Sequence, residues 1–229
     1  MSPHPRPDAA ALGAFFDQAA LILGEENVSR DPQHGALQGM QGQDSYGDPW
    51  TTTVSKPSGA VRPSSVEEVQ EIMKLANTYK VSLWTVSRGK NLGYVIKVLC
   101  HLYAADSHSY GGSNPVVEGS VVLDLHRMNK IIELNEEYGY AIVEPGVSFF
   151  DLYQEIQRKG LNLWPSVPAI GWGSVLGNTL DRGIGYTPNG EHSQSQCGME
   201  VVLPNGDLVR TGSGAMKDNK AFPLFKGYV

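Results

Sequence analysis

Residues 59–94 read GAVRPSSVEEVQEIMKLANTYKVSLWTVSRGKNLGY, and the order of elements within them decides the fold. Ala60 and Val61 make a short apolar strand, which Pro63 breaks because proline has no N–H for a ladder. Ser65 followed by Glu68 is a capping box. The helix it starts carries Val66, Val69, Ile72, Met73 and Ala76 on one stripe. Residues 83–86 form a second strand, which runs straight into the turn SRGKNLGY at 87–94. The segment is therefore strand, helix, strand and glycine turn.

Working outward, Pro3, Pro5 and Pro7 keep the start extended. Asp8 then caps a helix with Leu12, Phe15, Phe16, Ala19 and Leu23 at helical spacing, closed by Gly24. Residues 29–56 are rich in Gly, Gln, Asp and Ser, the composition of a long surface crossing. Downstream, 120–125, 131–134 and 140–144 read as three short strands of a partly antiparallel meander. Ser148 and Asp151 cap a further helix, with Phe149, Leu152, Tyr153 and Ile156 inward and Gly160 at its end. A strand at 161–164 follows, then GWGSVLGNTLDRGIGYTPNGEH at 171–192, with six glycines in twenty-two residues. Residues 199–203 and 208–211 flank an Asn-Gly turn and make a hairpin. No period of solenoid length repeats, and the class is mixed α+β with two small lobes.

Composition narrows the partners. With 229 residues, 18 Lys plus Arg against 24 Asp plus Glu and a net charge of −6, the chain has no basic surface suited to a phosphate polymer, which excludes nucleic acid. Cys100 and Cys197 are too few for a disulfide framework and too far apart for a zinc knuckle, so no metal site is expected. No apolar run reaches a membrane-spanning length and MSPHPRPDAA lacks the order of a secretory signal. The expectation is an intracellular protein with no membrane contact.

Two glycine-rich segments, 87–94 and 171–185, each follow an apolar strand. Glycine lets main-chain amides approach an anion closely, although the same residues also serve as plain tight turns. Neither segment matches the dinucleotide fingerprint or a Walker loop.

The blocks RPSSVEEVQEIMKLANTYKVSLWTVSRGKNLGY, VVLDLHRMNKIIELNEEYGYAIVEPGVSFFDLY, GSVLGNTLDRGIGYTPNGEH and CGMEVVLPNGDLVRTG together resemble the vanillyl-alcohol oxidase and p-cresol methylhydroxylase family. The likeness runs over 58–229, with 1–57 as an N-terminal helix and crossing segment. It implies an α+β, two-lobed FAD-binding domain of the p-cresol methylhydroxylase (PCMH) type, incomplete at the C-terminus. The cofactor implied is FAD; QDSYGDPW offers no histidine for attachment, which favours noncovalent binding and leaves covalent attachment open. The implied reaction oxidises a small phenolic substrate of the 4-alkylphenol or vanillyl-alcohol kind by hydride transfer to flavin. A non-catalytic FAD-binding fragment is the alternative.

Carried over by residue, the resemblance places Ser87, Arg88, Gly89, Lys90, Asn91 and Gly93 at the FAD pyrophosphate, with Lys90 where most members have arginine. It continues that turn with Gly111 and Gly112, and lines the cofactor with Pro145, Gly146 and Val147. Gly173, Ser174, Gly177 and Asn178 match the second flavin-contacting loop, continued by Arg182, Gly183, Gly185 and Tyr186. Gly198, Glu200 and Val201 fall toward the adenosine end, with ordinary strand packing as the other reading for Gly198 and Val201. Tyr110 is the candidate catalytic residue at the phenol oxygen, with Tyr94 as its rival. Ala169 stands where oxidases of the family often carry an aspartate beside the flavin. His192 reads as a structural hydrogen-bonding group rather than a catalyst.

The choice between those tyrosines arises from an insertion at 94–109, VIKVLCHLYAADSHSY following Tyr94. An apolar addition with a Val95, Val98, Leu99 and Leu102 stripe is one reading. Translated intron is the other: removing 94–109 restores Gly93-Tyr110-Gly111-Gly112 in frame, and Gly93-Tyr94-Val95 can be encoded with a splice-donor sequence. The same tripeptide closes the chain as Gly227-Tyr228-Val229. On this reading the family's cap is lacking, and the piece alone is expected to be inactive. The oligomeric state is left open, homo-oligomer included, as is the choice between cytoplasm and peroxisome.

Overall fold

The computed structural model describes residues 7–31, 57–88, 117–168, 171–188, 190–211, 221–223 and 225–226. It divides into two compact units, one made of Met1–Arg127 with Val202–Asp207 and the other of Met128–Val201 with Leu208–Val229. Among the described residues no helix is long and apolar enough to cross a membrane.

Unit 1 is built on a four-stranded sheet. Its strands are β1 (Val28–Ser29), β2 (Gly59–Val61), β3 (Leu83–Val86) and β4 (Val121–Asp124), in the order β1-β2-β4-β3. β2, β4 and β3 run parallel, and β1 closes one edge antiparallel. Two helices accompany the sheet, α1 (Ala9–Leu23) and α2 (Val66–Tyr79), which pack on each other. Asp8 caps α1 by accepting from Ala11 N, and Gly24 ends it at φ +86°. α2 starts on Ser65 Oγ, which accepts from Glu68 N, while the Glu68 carboxylate returns to Ser64 N and Oγ, one residue earlier than an ordinary capping box.

Phe15, Phe16, Ala19, Val69, Ile72 and Ala76 form the buried faces of the two helices. Burying each larger side chain contributes about 1.5–3 kcal/mol relative to leaving it in water. Gly59 is dictated by closeness: a Cβ there would lie 2.2 Å from Ser29 O and 2.7 Å from Phe16 Cζ. The tip of the last hairpin also belongs to this unit, where Gln70 Nε2 donates to Gly206 O at 2.7 Å and Asn77 Nδ2 donates to Pro204 O.

Unit 2 carries β5 (Ile131–Asn135), β6 (Tyr140–Val143) and β10 (Ala221–Pro223) as an antiparallel sheet in the order β10-β6-β5. Its helices are α3 (Phe149–Arg158) and the single short α4 (Val175–Leu180). β7 (Leu163–Trp164) pairs with β11 (Phe225–Lys226), and β8 (Glu200–Val202) pairs with β9 (Leu208–Arg210). The core gathers Ala141, Val147, Phe149, Leu152, Ile156, Leu163 and Val175.

Two expectations change. Of the three strands read as a meander, β4 joins the parallel sheet of unit 1 and only β5 and β6 form the antiparallel pair. The reason is visible in burial: all four residues of β4 are covered, as in a strand flanked by parallel neighbours, whereas β5 is partly open. Tyr153 is 47% exposed on α3, because Phe149, Leu152 and Ile156 already fill the narrow inward stripe. Of the expected surface crossing, residues 32–56 lie outside the described ones.

Candidate functional site

The carboxyl ends of the parallel strands in unit 1 collect cations. Val61 pairs with Leu123 and Val86 with Asp124, so Arg62, Asp124 and Val86 stand in one row, with Ser87 and Arg88 just beyond. Asp124 is buried and accepts from both His126 N (3.0 Å) and His126 Nδ1 (2.9 Å), which folds the chain back after β4. Arg127 Nη1 donates to Arg62 O at 2.6 Å. Open α/β sheets bind ligands outside the carboxyl ends of their strands. Three arginines and a histidine at that edge are the donor set an anionic diphosphate needs.

Of the residues expected here, Ser87 is buried directly after β3 and Arg88 follows it. Gly89, Lys90, Asn91, Gly93, Tyr94, Tyr110, Gly111 and Gly112 lie outside the described residues, as does Ala169. Arg62, His126 and Arg127 were not singled out from sequence, although their position one to three residues after an apolar strand was the available signal.

In unit 2 the structure joins two of the expected blocks. Pro145–Gly146–Val147 leads to Ser148, and Gly173 leads to Ser174; the two serines form an antiparallel bridge and are both fully buried. Val175 N donates to Val147 O, Phe149 N to Gly173 O and Phe150 N to Gly171 O. Each serine caps a helix: Ser148 Oγ accepts from Asp151 N and Ser174 Oγ accepts from Gly177 N. α3 and α4 therefore begin side by side from one stitched loop. Gly146 N donates to Met128 O at 2.7 Å, which ties the loop to the edge of β5.

The second block folds into a narrow ribbon over 183–192. His192 N donates to Gly183 O (2.9 Å), Ile184 bridges Glu191, and Gly185 N donates to Gly190 O (2.8 Å). Gly183 and Gly185 face inward where no side chain fits. A Cβ on Gly183 would lie 2.2 Å from Asn178 Nδ2, and one on Gly185 would lie 2.1 Å from Ser166 Oγ. Ile184 and Tyr186 face out, 63% and 80% exposed. Arg182 adopts the left-handed region at φ +55° and pairs with Glu191 at 3.0 Å.

Beneath the ribbon lies His192, 2% exposed. Its Nδ1 is 2.5 Å from Asn178 Oδ1 and its Nε2 is 3.1 Å from Ser166 Oγ, which is 3.0 Å from Thr187 Oγ1. A carbonyl oxygen only accepts, so Nδ1 carries the proton and Nε2 accepts from Ser166. Burial holds the imidazole pKa below its ordinary value and favours this neutral form. His192 is thus the hydrogen-bonding group that sequence suggested; its partner Ser166, and Thr187 beyond it, had no sequence signal. At the far end, Glu200 accepts from Arg210 Nε at 2.6 Å across the β8–β9 pair, while Gly198 precedes β8 and Val201 lies within it.

The cations at the carboxyl edge of the unit 1 sheet suit the diphosphate of a flavin dinucleotide. An anion site of this kind is what an FAD-binding domain requires. An FAD binding domain family matches residues 99–212. The chain is 45% identical over 174 residues to the 4-cresol dehydrogenase [hydroxylating] flavoprotein subunit of Pseudomonas putida, covering 75% of this chain and 30% of that protein. Its fold matches 4-ethylphenol oxidase from Gulosibacter chungangensis, solved with isoeugenol, at TM-score 0.76 and 36% identity, over 93% of this chain and 37% of that one. p-Cresol methylhydroxylase with substrate bound matches at TM-score 0.76 and 32% identity, over 96% and 44%.

The chain belongs to the PCMH-type FAD-binding family of oxidoreductases, and the cofactor of its domain is FAD. It spans about a third of the length of the curated relatives it matches.

Proposed function

We propose that the protein carries the flavin-binding part of an oxidoreductase that oxidises a 4-alkylphenol or a related phenolic alcohol. The observation that carries this reading is the 45% identity to a 4-cresol dehydrogenase flavoprotein subunit over 174 residues. Bound FAD would supply the hydride acceptor. The chain's own residues supply binding and orientation. In unit 1, Arg62, Arg88 and Arg127 offset the charge of a diphosphate. Tyr110 is the residue assigned to hold the phenol oxygen, on the family resemblance.

A second reading is favoured by Ala169, which on the family resemblance offers no carboxylate where oxidases of the family often have one. In it the chain binds FAD without turning over phenols. The visible spectrum of the purified chain with FAD supplied separates the two. Yellow flavin that a 4-alkylphenol bleaches without oxygen supports the oxidoreductase; retained flavin that does not bleach leaves the second reading standing.

A further inference from the structure

His192 touches no expected ligand, yet it holds the ribbon from which Ile184 and Tyr186 project. Asn178 on α4, Ser166 after β7 and Gly185 of the ribbon converge on one ring, and Gly183 abuts the Asn178 side chain beside it. The hydrogen bonds share one polarity, Thr187 to Ser166 to His192 to Asn178, so each hydroxyl donates forward and no donor faces a donor. Phe149 closes the remaining side, its ring centroid 5.4 Å from that of His192. A buried chain of this kind, paired at every member, rigidifies the segments it joins.

We propose that His192 is a positioning residue for the cofactor: by bonding Asn178 and Ser166 from opposite edges of its ring it fixes the 183–192 ribbon, so that Ile184 and Tyr186 stand outward as flavin contacts. The proposal rests on the FAD assignment, and its test separates the two. The whole chain is compared with H192F, H192Q and S166A by amide hydrogen exchange without flavin, then by quenching of FAD fluorescence and the visible circular dichroism of the bound cofactor.

In H192F the amides of Gly185 and His192, bonded to Gly190 O and Gly183 O, should exchange at least tenfold faster, while the Leu152 amide in α3 is unchanged. FAD should bind at least tenfold more weakly, with an altered visible dichroism. H192Q, which keeps an amide at the Nε2 position toward Ser166, should recover part of both effects. S166A removes one bond only, gives the same trend at about threefold, and carries the test if H192F does not fold.

Unchanged ribbon exchange in both H192F and S166A overturns the proposal. So does a loosened ribbon with FAD affinity and dichroism intact, and so does faster exchange that includes Leu152 equally, which would make His192 a general stability residue. A parent chain that leaves FAD fluorescence unquenched overturns the cofactor's place in this chain, and the flavin-free exchange arm tells that failure apart from failure of the latch.

Discussion

The two units place their polar groups in opposite ways. At the carboxyl edge of the unit 1 sheet, the cationic side chains of Arg62, Arg88 and Arg127 gather, and the buried carboxylate of Asp124 holds the turn by accepting from His126. In unit 2 the polar groups turn inward: Ser148, Ser174 and His192 are buried and spend their hydrogen bonds on the scaffold. Attraction in the first region is a matter of side-chain charge and in the second a matter of backbone shape. Substitutions in unit 1 should therefore alter affinity with little change in stability, and substitutions in unit 2 should alter stability first.

The strongest break is Gly185→Val. Its Cβ would meet Ser166 Oγ at 2.1 Å and His192 Nε2 at 2.6 Å, and the variant should lose roughly 3 kcal/mol or more of unfolding free energy, read from the denaturant midpoint. Ser148→Ala comes next, at about 1–2 kcal/mol by the same measurement, since it removes a buried cap whose Oγ accepts from Asp151 N and donates to the Asp151 carboxylate. Arg88→Gln tests the other side of the comparison. FAD should bind about tenfold more weakly, a change of ~1.4 kcal/mol, with the unfolding midpoint unmoved.

Acid distinguishes the units further. The His192 pKa is depressed in the folded chain, so the unfolded chain binds more protons as pH falls below the ordinary value of 6.5. Stability should therefore rise with pH up to about 6.5 and then level, by no more than about 1.4 kcal/mol per pH unit, and H192Q should flatten the slope. A slope that persists in H192Q would assign it to another group. The smallest effect sits in unit 1: Lys80 ends α2 at φ +56°, and Lys80→Gly should stabilise by about 0.5–1 kcal/mol in thermal unfolding.

How much of this was legible in the sequence depends on how local its cause is. The caps at Asp8, Ser65 and Ser148 involve partners within a few residues, and spacing reveals them, whereas the Ser174 cap of the short α4 was not read from sequence. The placement of β4 was not legible as a local pattern, because a run of Val121, Val122 and Leu123 suits either sheet and only long-range pairing decides. Gly183 and Gly185 carried a signal as glycines, but the reason for them, Asn178, Ser166 and His192, comes from three separated stretches. Ser166 looks like any loop serine until the fold closes over it. The cations after β2 and β4 became meaningful once β4 was seen to lie between β2 and β3, parallel to both.

The alternation Gly183-Ile184-Gly185-Tyr186 divides labour along a single strip of backbone. Inward positions admit only hydrogen, whereas outward ones are walled by nothing but solvent. Exchanging the aliphatic and the phenol for other groups would thus retune what is recognised while the interior keeps its bonding. Within this short strip, selectivity and foldability are free to evolve apart.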